Sequence, residues 1–170
     1  MALTPAQNTI IKSHYLANMS TLNDEQARDA FNALAIPAYN VWRSDVSRAD
    51  IYAGANWDWT IYKNQAVGEQ NAWVQMFMGD KCNMGLLNFR VGVSKIFTGS
   101  AGANAQRDHV FASSKRSATL AEKLLAVAVL APPANSGNDI LQPRGSTGNP
   151  DVLGFEGLLT TQDVIDALNS

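Results

Sequence analysis

The sequence predicts a mainly α protein: a helical bundle followed by an extended Pro/Gly-rich C-terminal arm and a short terminal helix. Three observations predict it. Cap residues recur ahead of candidate helices, apolar side chains behind them fall at helical spacing, and the composition changes abruptly after residue 130. The expected organisation is a helical body over residues 1–130 and an arm over residues 131–170.

Thr4-Pro5 opens the first helix, because threonine caps through its hydroxyl and proline at the first helical position lacks an N–H that would have no partner there. This helix runs to about Met19, with Ile10, Ile11, Tyr15 and Met19 as one apolar stripe. Asn23 followed three residues later by Gln26 is a capping-box pattern for a second helix, Asp24 to Leu34, burying Ala27, Phe31 and Leu34. Ile36-Pro37 ends it, since the residue before proline is pushed out of the helical basin. Ala38 to Ser44 alternates enough to be extended, and Ser44-Asp45 starts a short helix through Ile51 or Tyr52 that Gly54 stops. Asn56 to Trp59 is a turn into another helix, capped by Asp58 or Asn56. Gly68 breaks or bends that helix before Glu69 to Met78 resumes, with Trp73, Met76 and Phe77 on one face, and Gly79-Asp80 closes it.

A helix from about Leu86 to Thr98 comes next, and Gly92 inside it marks a close approach by a neighbour. Thr98-Gly99-Ser100 reverses the chain. Ser100 or Ala101 then starts the longest helical pattern, which carries Ala105, Val110, Leu120, Leu124 and Val127 up to Leu130. Residues 131–150 (APPANSGNDILQPRGSTGNP) hold Pro132, Pro133, Pro143 and Pro150, with Ile140 and Leu141 as the large apolar anchors. Such a segment buries too little to order itself and reads as an extended arm. Val152 to Leu159 (VLGFEGLL) is expected to form one short strand, and Thr160 or Thr161 to cap a last helix, Gln162 to Leu168.

Composition bounds the function. Charged residues make up 16% of the chain, against about 25% in an average soluble protein, which implies a surface partly covered by partners. A net charge of -2 excludes wholesale polyelectrolyte contact with nucleic acid but leaves room for a local basic stripe. Cys82 is the sole cysteine, so neither a disulfide framework nor a cysteine zinc site is expected, and a reducing compartment suits it. Met1 to Pro5 has no basic leader, and no apolar run reaches the roughly 18 residues that span a bilayer, so no membrane association is expected.

Signatures of chemistry are scarce. His109 follows Asp108 directly, and neighbours on a helix point about 100° apart, so that carboxylate cannot orient that imidazole. His14 reads as structural. The acids are scattered singly, with no paired ligand motif, and neither a P-loop nor a G-x-G-x-x-G is present, so no catalytic residue, metal or cofactor is expected. The basic residues are the suggestive pattern. Arg90 and Lys95 on one helix, with Arg107, Lys115, Arg116 and Lys123 on the next, would form either a face toward DNA phosphates or a solvated helix face. Trp57, Trp59, Tyr62 and Trp73 read as core and subunit-interface anchors, with base or sugar stacking as the other reading.

Six runs carry a likeness: VWRSDVSRADIY (41–52), WDWTIYKNQ (57–65), EQNAWVQMFMGD (69–80), NFRVGVSKIFTGSAGANAQRDHV (88–110), KRSATLAEKLLA (115–126) and FEGLLTTQDVIDAL (155–168). Together they resemble a family of small proteins encoded among the virion structural genes of tailed bacteriophages. The likeness covers most of the chain after residue 38, and departs from the family at Lys81 to Met84 and Ala131 to Pro143. It implies a head-to-tail connector (adaptor): a non-enzymatic homo-oligomeric ring between portal and tail around the DNA channel, made in the host cytoplasm and carried in the virion. On that reading the six basic residues face the DNA, the four aromatic residues join subunits, and Ile140, Leu141 and Phe155 on the arm bind a partner. A tail-tube terminator, a small host-directed regulator, and a phage-encoded DNA-processing or cell-wall enzyme remain as alternatives.

Overall fold

The computed structural model describes residues 2–127, Gly145 and residues 150–170, and among these it is mainly helical. Caps written in the sequence set the helix starts. Thr4 and Gln7 form a reciprocal capping box ahead of α1 (Pro5–Asn18), and Asn23 and Gln26 do so ahead of α2 (Asp24–Asn32). The chain then extends as β1 (Asn40–Trp42) and β2 (Val46–Ser47). Ser47 and Asp50 box the start of α3 (Arg48–Tyr52), and Asp58 caps α4 (Trp59–Lys63). The Glu69 carboxylate accepts from the Ala66 N–H at 3.0 Å at the head of α5 (Val67–Met76). After β3 (Lys81–Cys82) and α6 (Leu87–Ile96), Gly99 takes a left-handed φ of 87° and Ser100 caps α7 (Ala101–Ser113). β4 (Lys115–Ser117), α8 (Leu120–Leu124) and α9 (Thr161–Asn169) follow.

The strands are clasps between helices. β1 pairs antiparallel with β4, Val41 opposite Arg116, and β2 pairs antiparallel with β3, Val46 opposite Cys82. The buried side chains form two separate hydrophobic cores, and Trp42, Val46 and Cys82 of the strands belong to the first. The first is aromatic, with Trp42, Trp57, Trp73, Phe77 and Phe97 packed among Ile51, Met84, Val93 and Val110. The second is aliphatic and small, with Ile11, Ala27, Phe31, Ala121, Leu125, Phe155, Leu159, Val164 and Ala167. Gly92 has the close neighbour its position implies: a Cβ there would lie 3.3 Å from the Met76 sulfur, where α6 crosses α5.

Four expectations are corrected. The long helix from residue 100 to 130 is three elements, α7, β4 and α8. Ser114 terminates α7 by donating its hydroxyl to the Val110 carbonyl at 2.6 Å, the chain pairs with β1, and a Thr119/Glu122 capping box restarts it. The helix expected from Ser44 begins only at Arg48, because Val46 and Ser47 pair with β3. Residues 152–159 do not make a strand. Asp151 and Val152 form single bridges to Val41 and Val127, and Phe155 and Leu159 turn into the second core.

The fourth correction concerns the tail. Residues 150–170 are integral to the body: α9 packs on α1 and α2, and the Asn32 side chain holds Leu159 by both its N–H (2.8 Å) and its carbonyl (2.9 Å). Phe155 is therefore a core residue and no partner-binding arm. Ile140 and Leu141 lie outside the described residues.

Candidate functional site

The aromatic residues singled out in the sequence converge, chiefly inward. Trp73 on α5 is 0% exposed, and its indole N–H donates to the Tyr52 hydroxyl at 2.9 Å. Trp57 stacks on it with ring centroids 5.6 Å apart and planes 24° apart, and Phe97 meets both edge-on. Offset stacking and edge contacts suit the ring quadrupoles. Burial raises the Tyr62 phenol above its ordinary range, and that side chain is half-buried against the cluster. Trp59 is the exception: it is 49% exposed and rests on Tyr52, Trp57 and Tyr62. Trp57 and Trp73 are thus core anchors, and Trp59 is the ring among the four that presents a broad surface.

The basic residues do not form one face, because the helix expected to carry four of them is broken. Arg90 is 1% exposed: it donates to the Met84 carbonyl at 2.6 Å and lies over the Trp42 ring at 5.1 Å. Burial lowers its pKa to about 10, which leaves it a cation at neutral pH. Its Nε and Nη2 have no hydrogen-bond partner, and neither has the Ser94 hydroxyl one turn further along α6. Arg116 grips the buried Glu122 carboxylate with two bonds of 2.7 Å. Burial raises the Glu122 pKa, but the Arg116 bonds and the N–H groups of Thr119 and Gly157 outweigh it, and the net shift is downward. Arg90 is therefore closed off from any channel, while the Arg116 side chain stays 32% exposed. Arg107 pairs with Asp108 at 3.0 Å, Lys115 stands 5.2 Å from the Trp42 ring centroid, and Lys123 stands 5.7 Å from that of Tyr39. Lys95 is exposed.

Nothing in the sequence singles out Trp42. It takes the Arg90 guanidinium and the Lys115 ammonium as cation–π partners and Phe111 edge-on. Lys115 meets Trp42 through the β1–β4 pairing, which joins residues far apart in the chain, so no pattern in one dimension finds it.

His109 and Cys82 are held structurally. His109 Nε2 lies 2.8 Å from the Ile51 carbonyl, which can only accept, so that nitrogen carries a proton; Gly54 packs against the ring. Asp108 turns away to Arg107, as its position on the helix requires. Burial pushes the Cys82 thiol up to about 12, so little thiolate is present at neutral pH. Among the described residues no group of three or more His, Cys, Asp or Glu is placed to hold a metal, and no helix is long and apolar enough to cross a membrane.

Two depressions flank the aromatic core. One is a groove of about 360 Å³ between α5 and α6, walled by Ala72, Met76, Phe89 and Ile96, floored by Gly68 and Gly92, with Glu69, Asn88 and Lys95 beside it. The other, of about 590 Å³, lies between α4 and α7 and is lined by Asn56, Asp58, Gln106 and His109 with small residues of α7. Outside the groove lining, the same two helices and their ends carry exposed apolar side chains: Val67 and Val74 on α5, Met78 just after it (80% exposed), and Leu86 and Leu87 at the start of α6. No family model, characterised protein or solved structure matches this chain.

Proposed function

We propose that the protein is a non-enzymatic structural component of a tailed-phage virion, a head-to-tail connector whose copies form a ring between portal and tail. The observation that carries this reading is the apolar surface of the α5–α6 layer. Val67, Val74, Met78, Leu86 and Leu87 are all exposed on or beside α5 and α6 in a chain with only 16% charged residues. A surface of that kind is what contact with other subunits covers, and it is a liability in a free monomer. The likeness to phage structural-gene products supplies the partner class: portal on one side, tail or neck proteins on the other. Contact with DNA in the channel falls to the exposed Lys95 together with the partly exposed Arg107, Lys115, Arg116 and Lys123, without the buried Arg90.

Labelling the chain in purified virions and imaging the neck tests this reading. Density for a ring of this chain between portal and tail is the expected result. Density at the far end of the tail tube would make it a tail terminator instead. A chain missing from the particle ends the structural reading altogether.

A further inference from the structure

We infer that the depression between α4 and α7 is a binding site for a small uncharged polyhydroxyl ligand, a saccharide, held by Gln106, His109 and Asp58. The inference stands apart from the proposed ring. Gln106 lines the depression and is 2% exposed. The Asp58 N–H, which can only donate, gives its hydrogen to the Gln106 carbonyl oxygen at 2.8 Å and so fixes which way the amide points. The amide nitrogen is left as the free end, and it is buried without an acceptor. Buried donors are nearly always paired, so an orphan beside an opening points to something that enters it. His109, three residues further along α7 on the same face, supplies the opposite function. Its Nε2–H is committed to the Ile51 carbonyl at 2.8 Å, which makes Nδ1 of the neutral ring an acceptor. That nitrogen has no hydrogen bond among the described residues yet is not sealed from the surface, and the ring lines this same depression.

The rest of the lining selects the ligand class. Asp58 uses one oxygen to cap α4 through the Thr60 and Ile61 N–H groups, and Asp108 uses one on Arg107; the second oxygen of each makes no bond among the described residues. Neither Lys nor Arg lines the depression, so a phosphate or carboxylate ligand would meet two carboxylates with no cation to receive it. An ammonium or guanidinium would pair with those carboxylates but has no acceptor for Gln106. An apolar ligand would cover the polar groups and leave them unpaired. An amide offers its donors and acceptor in one small plane, whereas the lining asks for donors at three separate points. A hydroxyl both donates and accepts, so a ring carrying several can accept from Gln106 and donate to His109 and to the two carboxylates. Ile61, Ala105 and Ala112 supply an apolar wall for the C–H face of such a ring. At about 590 Å³ the depression lies within the range of small-molecule sites. Its walls are preset: the Asp58–Gln106 bond joins α4 to α7, and the two helices pack so closely that a Cβ at Gly102 would lie 2.6 Å from Ile61.

Titration of the isotope-labelled full-length chain with D-glucose, D-galactose and N-acetyl-D-glucosamine, followed by two-dimensional NMR, tests the site. At least one of the three should give saturable shifts, with a dissociation constant in the millimolar range, in the Gln106 side-chain NH2 pair and in the backbone N–H of Asp58 and His109. A phosphorylated form of the binding sugar should bind at least about tenfold more weakly. Ala105→Leu fills the depression from an exposed position on α7 where leucine is a good helix former, so it should keep the wild-type melting temperature and weaken binding at least about tenfold. Gln106→Glu keeps an oxygen for the Asp58 N–H and removes the donor, and should weaken binding to a similar degree; if it does not fold, Ala105→Leu decides. No saturable shift with any of the three sugars would mean that solvent alone pairs Gln106, and would overturn the site. So would undiminished binding by Ala105→Leu, a phosphorylated sugar that binds as tightly as its parent, or N-methylacetamide shifting the same signals at lower concentration than the sugars do.

Discussion

The two cores are built by opposite strategies. The first draws on residues between Trp42 and Val110, and its bulk is aromatic rings that lock by stacking and edge contacts over short chain distances. The second uses smaller side chains and is closed from the far end of the chain, with Ile11 and Phe31 meeting Phe155, Val164 and Ala167. Non-local closure is slow to form and depends on every later segment arriving. All four tryptophans belong to the first core or lie against it, so indole fluorescence reports that core while far-ultraviolet dichroism reports helices of both.

The largest expected effect is therefore in the aromatic core. Trp73→Ala leaves a large cavity, strands the Tyr52 hydroxyl and should cost about 3–5 kcal/mol in urea unfolding, with loss of near-ultraviolet dichroism. Phe155→Ala, in the second core, should cost about 3 kcal/mol. Its signature differs: the dichroism transition is expected to move to lower urea ahead of the fluorescence transition. Coincident transitions would show that the cores melt as one unit and would break the distinction between them.

The same contrast explains what the sequence made legible. Helix starts were readable wherever a cap announced itself locally, as at Thr4, Asn23, Asp58 and Thr160, because the capping bond spans only two or three residues. The Thr119-x-x-Glu122 box was equally local, and it was overrun because the small residues and leucines from 101 to 130 keep a helical period across it. The break at Ser114 is tertiary: β4 exists only because β1, some seventy residues earlier, lies alongside to accept it. Phe155 followed the same logic. Its neighbours read as the end of an arm, and nothing within a few residues reveals the hydrophobic surface of α1 and α2 that waits for it. Among the site residues, the aromatic convergence was visible as helical spacing, but the burial of Arg90 was not, since a cation on an apolar helix reads as a solvated face.

Where the cores meet, a smaller effect with a pH signature is expected. Glu122, buried in α8, accepts from Arg116 on β4 and from the Gly157 N–H at 3.3 Å, so one carboxylate joins the strand clasp to the segment that delivers Phe155. Its pKa is lower folded than the ordinary 4.5, so its stabilisation is fully present above about pH 4.5 and is lost as pH falls through the folded value. Glu122→Gln should cost about 2 kcal/mol at pH 7 and flatten the fall in melting temperature below pH 4.5. An unchanged acid limb would mean that the clasp does not couple the cores.

The smallest effect expected is at Arg90, and its sign is the informative part. Three of its features favour retention: the bond to the Met84 carbonyl, the contact with Trp42 and the packing of its stem. Against them stands a buried cation with two nitrogens that have no acceptor, whose desolvation in real proteins costs several kcal/mol. Methionine matches the stem in length, fills the same space and carries no N–H to strand. Arg90→Met is therefore expected to leave stability within about 1 kcal/mol of wild type or to raise it, whereas Trp73→Ala on the neighbouring helix is ruinous. A loss of more than about 3 kcal/mol in the isolated chain would show that the guanidinium holds the aromatic core together. The first core would then depend on a charge, and its contrast with the second would be one of electrostatics as much as of ring packing.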